Sequence, residues 1–216
     1  MEVIDFNQTD SVLNQFMAEL RNVEIQHDQM RFRRNLERIG EIMAYEISRR
    51  FDYVEQEIQT PLGISKISVP NESIVLATVF RAGLPFHYGF HNIFDHCENA
   101  FVSAYRKYLD EVNFDIHIEY MSSPDIEGKT LILVDPMLAT GNSMLLAYRA
   151  LLSKGTPKKI HLAAVIAARQ GVDFVTKTFP QDKTTVWCAA IDPSLNKQAY
   201  IIPGLGDAGD LAFGDK

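Results

Sequence analysis

Over residues 27–50 the apolar side chains Phe32, Leu36, Ile39, Met43 and Ile47 recur every three or four positions, while Arg33, Arg34, Glu37, Arg38 and Glu41 fill the other sides. That spacing predicts an amphipathic helix with one buried stripe, and the first fifty residues as a whole read as helical. The run YVEQEIQTPLGISKI then divides into two short extended pieces about Thr60-Pro61-Leu62-Gly63, which predicts a hairpin. From Ser73 the pattern changes. SIVLATVF, FVSAY, FDIHIEYM, TLILVD, KIHLAAVIAA and TTVWCAAI are β-prone and nearly continuously apolar. Strands of that kind are buried on both faces, which requires helices on both sides of a mostly parallel sheet. Residues 84–94, 143–154 and 172–179 predict those helices, with Gly155 and Pro157 stopping the second. Strand and helix alternate, so the expected class is α/β. No repeat or Ser/Gly/Pro-rich linker interrupts the pattern. The expectation is one domain over 1–216, with a helical arm and hairpin to about residue 70, a core over about 71–192 and a C-terminal segment over about 193–216.

Composition narrows the class. The 216 residues are 46% hydrophobic and 23% charged, with ordinary Gly and Pro content, so a disordered or collagen-like chain is excluded. No apolar run approaches the roughly 20 residues that cross a bilayer, and no membrane partner is expected. The start, MEVIDFNQTD, is acidic and lacks the basic-then-apolar pattern of a signal peptide. Cys97 and Cys188 are the only cysteines and form no CxxC, which favours a reducing cytoplasm. A net charge of −7 argues against nucleic acid as the main partner. An acidic chain still binds a polyphosphate where backbone amides, a few arginines and a metal do the neutralising.

The sharpest local signal is LILVDPMLATGNS, residues 131–143. A buried strand leads to an acidic residue, then to a short turn, then to a helix. A loop entering a helix N-terminus presents unpaired amides, and the helix dipole adds positive potential. Thr140, Gly141, Asn142 and Ser143 therefore suit a phosphate monoester, with Gly141 permitting close backbone approach. Asp135, at the carboxyl end of its strand, lies where open parallel sheets bind ligands and suits the hydroxyls of a sugar. The sequence contains neither GxxxxGK[ST] nor GxGxxG, so an NTPase loop and a dinucleotide fingerprint are both unsupported. The competing account is an ordinary strand-to-helix turn with Asp and Thr as caps.

VDPMLATG resembles the phosphoribosyl-diphosphate loop of type I phosphoribosyltransferases, in the variant with proline in place of the second acidic residue. The tail YIIPGLGDAGDLAFGDK resembles the uracil-binding segment of uracil phosphoribosyltransferases, FRAGL (80–84) their diphosphate-binding turn, and RFRRNLERIGEIMAYE their N-terminal helix. The likeness runs from about Arg31 to Lys216, and its motifs follow the family's order. It implies the type I phosphoribosyltransferase fold, an N-terminal helical arm and a C-terminal hood over the site. It implies the conversion of uracil and 5-phospho-α-D-ribose 1-diphosphate to UMP and diphosphate, in pyrimidine salvage. Two rivals share the fold: an RNA-binding regulator of pyrimidine operons, which needs a basic face, and a non-catalytic homologue.

The resemblance also assigns residues. Arg81 and Arg106 would hold diphosphate; Asp135, Pro136, Met137, Leu138, Ala139, Thr140, Gly141, Asn142 and Ser143 would bind ribose and 5-phosphate. Tyr200, Ile201, Gly206, Asp207 and Ala208 would read uracil, mainly through backbone groups. Arg81, Asp135 and Asp207 would carry the chemistry. Asp207 either holds metal and ribose or takes the uracil proton. Magnesium would come with the diphosphate substrate, held largely by substrate and water oxygens. Homo-oligomers, dimer or tetramer, and in some members a GTP effector, complete the implied picture. Four places depart from the family pattern: Asn142 replaces a second glycine, AARQG (167–171) replaces an Ala-Pro-Glu-Gly stretch, the run after Arg106 lacks the usual Asn-Glu-Glu-Thr-like sequence, and FRAGLPFHYGF is unusual beyond its first five residues. The histidines of HYGFHNIFDHC, His87, His91 and His96, are expected to belong to an aromatic helix rather than to a zinc site, because no third ligand pattern accompanies them.

Overall fold

The apolar runs come together in one eight-stranded sheet flanked by helices. The computed structural model describes residues 1–108 and 114–215, with side chains described outside 104–118. Its strands are β1 (Glu2–Asp5), β2 (Tyr53–Thr60), β3 (Gly63–Pro70), β4 (Ile74–Phe80), β5 (Glu98–Tyr108), β6 (Phe114–Ser122), β7 (Thr130–Val134), β8 (Met137–Leu138), β9 (Lys159–Ala168), β10 (Thr184–Asp192), β11 (Ser194–Leu195) and β12 (Ile201–Ile202). Its α-helices are α1 (Val12–Arg21), α2 (Gln29–Ser48), α3 (Gly83–His91), α4 (Asn142–Leu151), α5 (Arg169–Thr178) and α6 (Ala208–Phe213).

The sheet order is β1-β10-β9-β7-β4-β5-β6, with β8 also paired to β9. Every pairing in it is parallel except β5 with β6. Side-chain alternation along β7 shows why its five residues are all apolar or buried. Leu131 and Leu133 pack with Met144, Ala147 and Leu151 of α4 and Val172 and Val175 of α5. Ile132 and Val134 pack the opposite way, against Phe32, Leu36, Ile39 and Met43 of α2 and Phe86 and Phe90 of α3. The stripe read from the sequence of α2 is thus the cover of one sheet face, and Asp28 caps that helix by accepting the Arg31 amide at 3.0 Å.

One expectation needs correction. The first fifty residues are not all helical: Glu2–Asp5 form an edge strand parallel to β10, with Ile4 in register with Trp187. Phe6 stacks on the Trp187 ring at 6.1 Å, so the segment is anchored by tertiary contact. Four residues are too few for period-2 alternation to stand out against a neighbouring helical pattern. The C-terminal tail also forms a helix, α6, opened by Asp207, whose Oδ1 accepts the Gly209 and Asp210 amides at 2.8 and 3.2 Å. The hairpin about residues 60–63 forms as expected, as the separate two-stranded pair β2–β3.

From β4 the chain crosses through α3 to β5 on one side; from β7 it crosses through α4 to β9 on the other. The neighbours β4 and β7 therefore mark the point where the connections diverge. In open parallel sheets a crevice forms there, beyond the carboxyl ends of the strands.

Candidate active site

A cleft of about 500 Å³ lies at that divergence. The turn after β4 brings Arg81 to it, β5 brings Ser103, and the segment after β7 brings Asp135, Met137, Leu138, Ala139, Thr140, Gly141 and Ser143. The C-terminal segment supplies the facing wall through Tyr200, Gly206, Asp207, Ala208 and Gly209. Four stretches that are separate in sequence thus meet in one cavity.

The loop before α4 is built to approach a ligand closely. Gly141 carries a φ of +84° and as the N-cap of α4 supplies no side-chain cap; the Asn142 amide meets Thr140 Oγ1 at 3.4 Å, and the turn behind it presents the start of the helix to an anion. The loop rests on α5: a Cβ on Gly141 would stand 2.7 Å from the Phe174 ring, and one on Gly171 would stand 2.4 Å from the Ala139 carbonyl. Beneath it β8 pairs with β9. Asp135 Oδ1 accepts the Met137 amide at 3.1 Å, which ties the carboxylate's orientation to the start of the loop.

Arg81 is engaged from the opposite wall. Its Nη2 donates to Asp210 Oδ1 at 3.1 Å and to the Gly214 carbonyl at 3.2 Å, and its Nε is buried without a hydrogen-bond partner. Asp207, through its cap on α6, sets the helix that carries Asp210.

Three assigned residues are placed away from the cavity lining. Pro136 is buried under the loop, its carbonyl accepting the Ile166 amide at 2.9 Å. Ile201 is a buried residue of β12, in register with Leu195. Asn142 is exposed as the first residue of α4. Arg106 has its side chain outside the described residues.

The family model for uracil phosphoribosyltransferase matches residues 8–215. A uracil phosphoribosyltransferase of Porphyromonas gingivalis is 61% identical over 216 residues, spanning 100% of both chains. One from Methanothermobacter thermautotrophicus is 39% identical over 189 residues, 87% of this chain and 85% of its own. A solved protein structure from Aquifex aeolicus superposes with a TM-score of 0.86 at 28% identity, covering 98% of each chain. The chain belongs to the uracil phosphoribosyltransferase family. The Porphyromonas and Methanothermobacter relatives carry the name of the enzyme and lend nothing to an RNA-binding reading.

Within that family the departures at Asn142 and 167–171 have a local explanation. The left-handed backbone falls on Gly141, while Asn142 has no positive φ and takes an ordinary first helical position, so its side chain strains nothing. In AARQG the glycine is kept, and Gly171 is the residue whose bare Cα lets α5 touch the loop. His87 is buried against the Asn99 side chain at 2.8 Å, and burial lowers its pKa to about 4. His96 is exposed. Ser103, Gly209 and Asp210 were not singled out from sequence. Asp210 alone left a trace there, as the second carboxylate of GDAGD three residues after Asp207.

Proposed function

We propose that this cleft transfers the phosphoribosyl group of 5-phospho-α-D-ribose 1-diphosphate to uracil, giving UMP and diphosphate. The observation that carries it is the meeting of the phosphate-type loop, Arg81 and the 206–208 wall in a single cavity. In the reaction, uracil N1 forms a bond to ribose C1 as the C1–oxygen bond to diphosphate breaks, and the N1 proton leaves. The chain's part is to position three groups in line and to neutralise charge as it develops.

In this reading the amides that open α4, with Thr140 and Ser143, hold the 5-phosphate. Asp135 accepts from the ribose hydroxyls, its orientation already set by the Met137 amide. Arg81 pairs with diphosphate oxygens, a task suited to its planar fork. Arg106 is assigned beside it by the resemblance alone. Asp207 has Oδ1 committed to capping α6, which leaves Oδ2 to face substrate. Protonating that carboxylate would weaken the cap, which favours ribose or metal binding over uptake of the uracil proton.

The donor set fits magnesium carried in with the diphosphate. Asp135 and Asp207 offer hard oxygen donors from two walls of the cleft, and no group of three or more metal-binding side chains occurs among the described residues. Such an ion takes most of its ligands from substrate and water, and its charge would offset that of the leaving diphosphate. A homo-oligomer, GTP activation and a cytoplasmic setting extend the proposal on the strength of the resemblance. No helix among the described residues is long and apolar enough to cross a membrane.

The test is a steady-state assay with uracil, phosphoribosyl diphosphate and magnesium. UMP and diphosphate should appear in equal amounts and vanish when either substrate is omitted. A folded chain with no UMP product refutes the assignment. Sedimentation velocity with and without GTP reads assembly and effector binding separately.

A further inference from the structure

Outside the cleft, the contact that stands out joins α1 to the loop after β12. Arg21 is the last residue of α1. Its two terminal nitrogens donate to Asp192 Oδ2 and Oδ1 at 2.8 Å each, and Nη1 also reaches the Gly204 carbonyl at 3.1 Å. Asp192 ends β10 and is 6% exposed; its Oδ2 accepts the Gly204 amide at 2.8 Å. One ion pair thus holds both the N–H and the C=O of a single residue. That residue could be nothing bulkier: Gly204 has φ +65°, and a Cβ there would stand 2.1 Å from the Ile201 carbonyl oxygen. The Gln26 amide faces the Leu205 and Leu20 carbonyls at 2.9 and 3.1 Å, and satisfies both once its nitrogen rather than its oxygen is placed toward them. The next three residues, Gly206, Asp207 and Ala208, line the cleft.

We propose that Arg21 is a positioning residue for recognition of the base: through Asp192 it fixes the Gly204 peptide, and with it the backbone wall at 206–208. The inference rests on the reading of that wall as the uracil wall. The physical reason lies in how such a wall works. Backbone donors and acceptors discriminate only if they are held in place before the ligand arrives, because loop ordering on binding is subtracted from affinity. A guanidinium can satisfy both Asp192 oxygens and the Gly204 carbonyl at once, since its donors form a rigid planar fork. An ammonium at the same place keeps the charge but loses that geometry.

The test uses the full chain with Arg21→Lys and Asp192→Asn, varying uracil and phosphoribosyl diphosphate separately and recording thermal melts. Loosening of the wall should raise KM for uracil by about tenfold or more. KM for phosphoribosyl diphosphate should rise less than that for uracil, because apart from Asp207 its subsites lie on other elements. The double variant should be little worse than the poorer single one, as expected of residues in one network. A role in stability alone predicts a lower Tm and a smaller active fraction with both KM values unchanged, and that result overturns the proposal. Asp192→Asn preserves shape, so it carries the test if Arg21→Lys does not yield soluble protein. Parental turnover of uracil is the control. No UMP from the unaltered chain overturns the base-wall reading and this inference together; a normal parent with an unmoved uracil KM in Arg21→Lys overturns this inference alone.

Discussion

Arg81 and Asp210 meet at 3.1 Å, so the cation assigned to the leaving diphosphate already has an anion partner in the free chain. The pair links the turn after β4 to α6, two elements 129 residues apart. Both side chains are 38% exposed, which places the contact among weak, solvent-screened ion pairs worth roughly 0–1 kcal/mol. Diphosphate offers Arg81 more charge and more oxygens than one carboxylate does. Substrate binding therefore exchanges one partner for another rather than filling an empty site.

The exchange has a measurable sign. Asp210→Asn removes the competing charge while keeping side-chain shape, so KM for phosphoribosyl diphosphate should fall by about two- to fivefold, the range that a pair of this strength allows. The effect should shrink in high salt. A rise in that KM would mean that Asp210 aims Arg81 instead of competing for it.

Removing the cation acts the other way. Arg81→Ala should raise KM for phosphoribosyl diphosphate and also lower kcat, because charge on the leaving group grows toward the transition state. Uracil KM should move much less. Initial-rate kinetics with each substrate varied in turn separate the two, and unaltered diphosphate-substrate kinetics would contradict the role.

Asp135→Asn isolates the charge at the sugar. The Asn oxygen can still accept the Met137 amide that the native carboxylate takes at 3.1 Å, so the loop and the Tm should be preserved. Activity should drop by about 10²-fold or more, the usual scale for losing one charge-stabilising group in a preorganised site. A folded variant with parental turnover would remove Asp135 from the chemistry.

How much of this was legible in sequence depended on range. The β7–loop–α4 unit was readable because an apolar run, an aspartate, a glycine and a helix follow one another within twenty residues, each with its own local signal. The α2 stripe was readable for the same reason. β1 was not, since its strand character comes from pairing with β10 and from the Phe6–Trp187 stack. The Arg21–Asp192 pair spans 171 residues, and no periodicity or spacing announces a side-chain contact of that kind. The same holds for Asp210, whose meaning lies in a partner 129 residues away, Arg81. Backbone pattern fixed where the cleft would be; the pairs that hold its two walls together came only with tertiary structure.

Acid stability provides a prediction independent of catalysis. His87 and His161 are both buried, and burial lowers each pKa from 6.5 to about 4. Between pH 6.5 and 4 the unfolded chain binds protons at these sites and the folded chain does not, so stability falls as pH falls. Each site contributes a slope of up to about 1.4 kcal/mol per pH unit in that window. Glu72 adds to the loss at lower pH: burial pushes its pKa up, but Lys158, Thr130 and Lys159 outweigh it and bring it to about 2. Tm should therefore decline on acidification below pH 6.5. His161→Gln, which can keep an acceptor for the Trp187 indole now bonded at 3.1 Å, should make that decline shallower. An equal slope in the variant would show that His161 is not a source of it.

Base specificity tests the cleft most severely. If the wall at 206–208 reads the base, it meets an edge that alternates acceptor, donor and acceptor. 5-Fluorouracil presents the same edge and should be accepted. Cytosine offers an amino donor where uracil has its 4-carbonyl, and its N3 carries no proton. Two buried groups of the protein would then face the wrong partner, and each unsatisfied group costs about 1–3 kcal/mol. Sites built around buried hydrogen bonds reject such analogues by about 10⁴-fold, so cytosine should give essentially no product. Hypoxanthine and guanine should fail by a different route, on size, provided the C-terminal segment closes over a single ring. The measurement is nucleotide formation from each base at saturating phosphoribosyl diphosphate and magnesium. Rates with a purine comparable to those with uracil would sink the base assignment and leave the sheet, the phosphate loop and the transferase chemistry standing. Acceptance of cytosine alone would point instead to a wall that reads ring shape without reading the hydrogen-bonding edge, and the Arg21–Asp192 clamp would then have no specificity to protect.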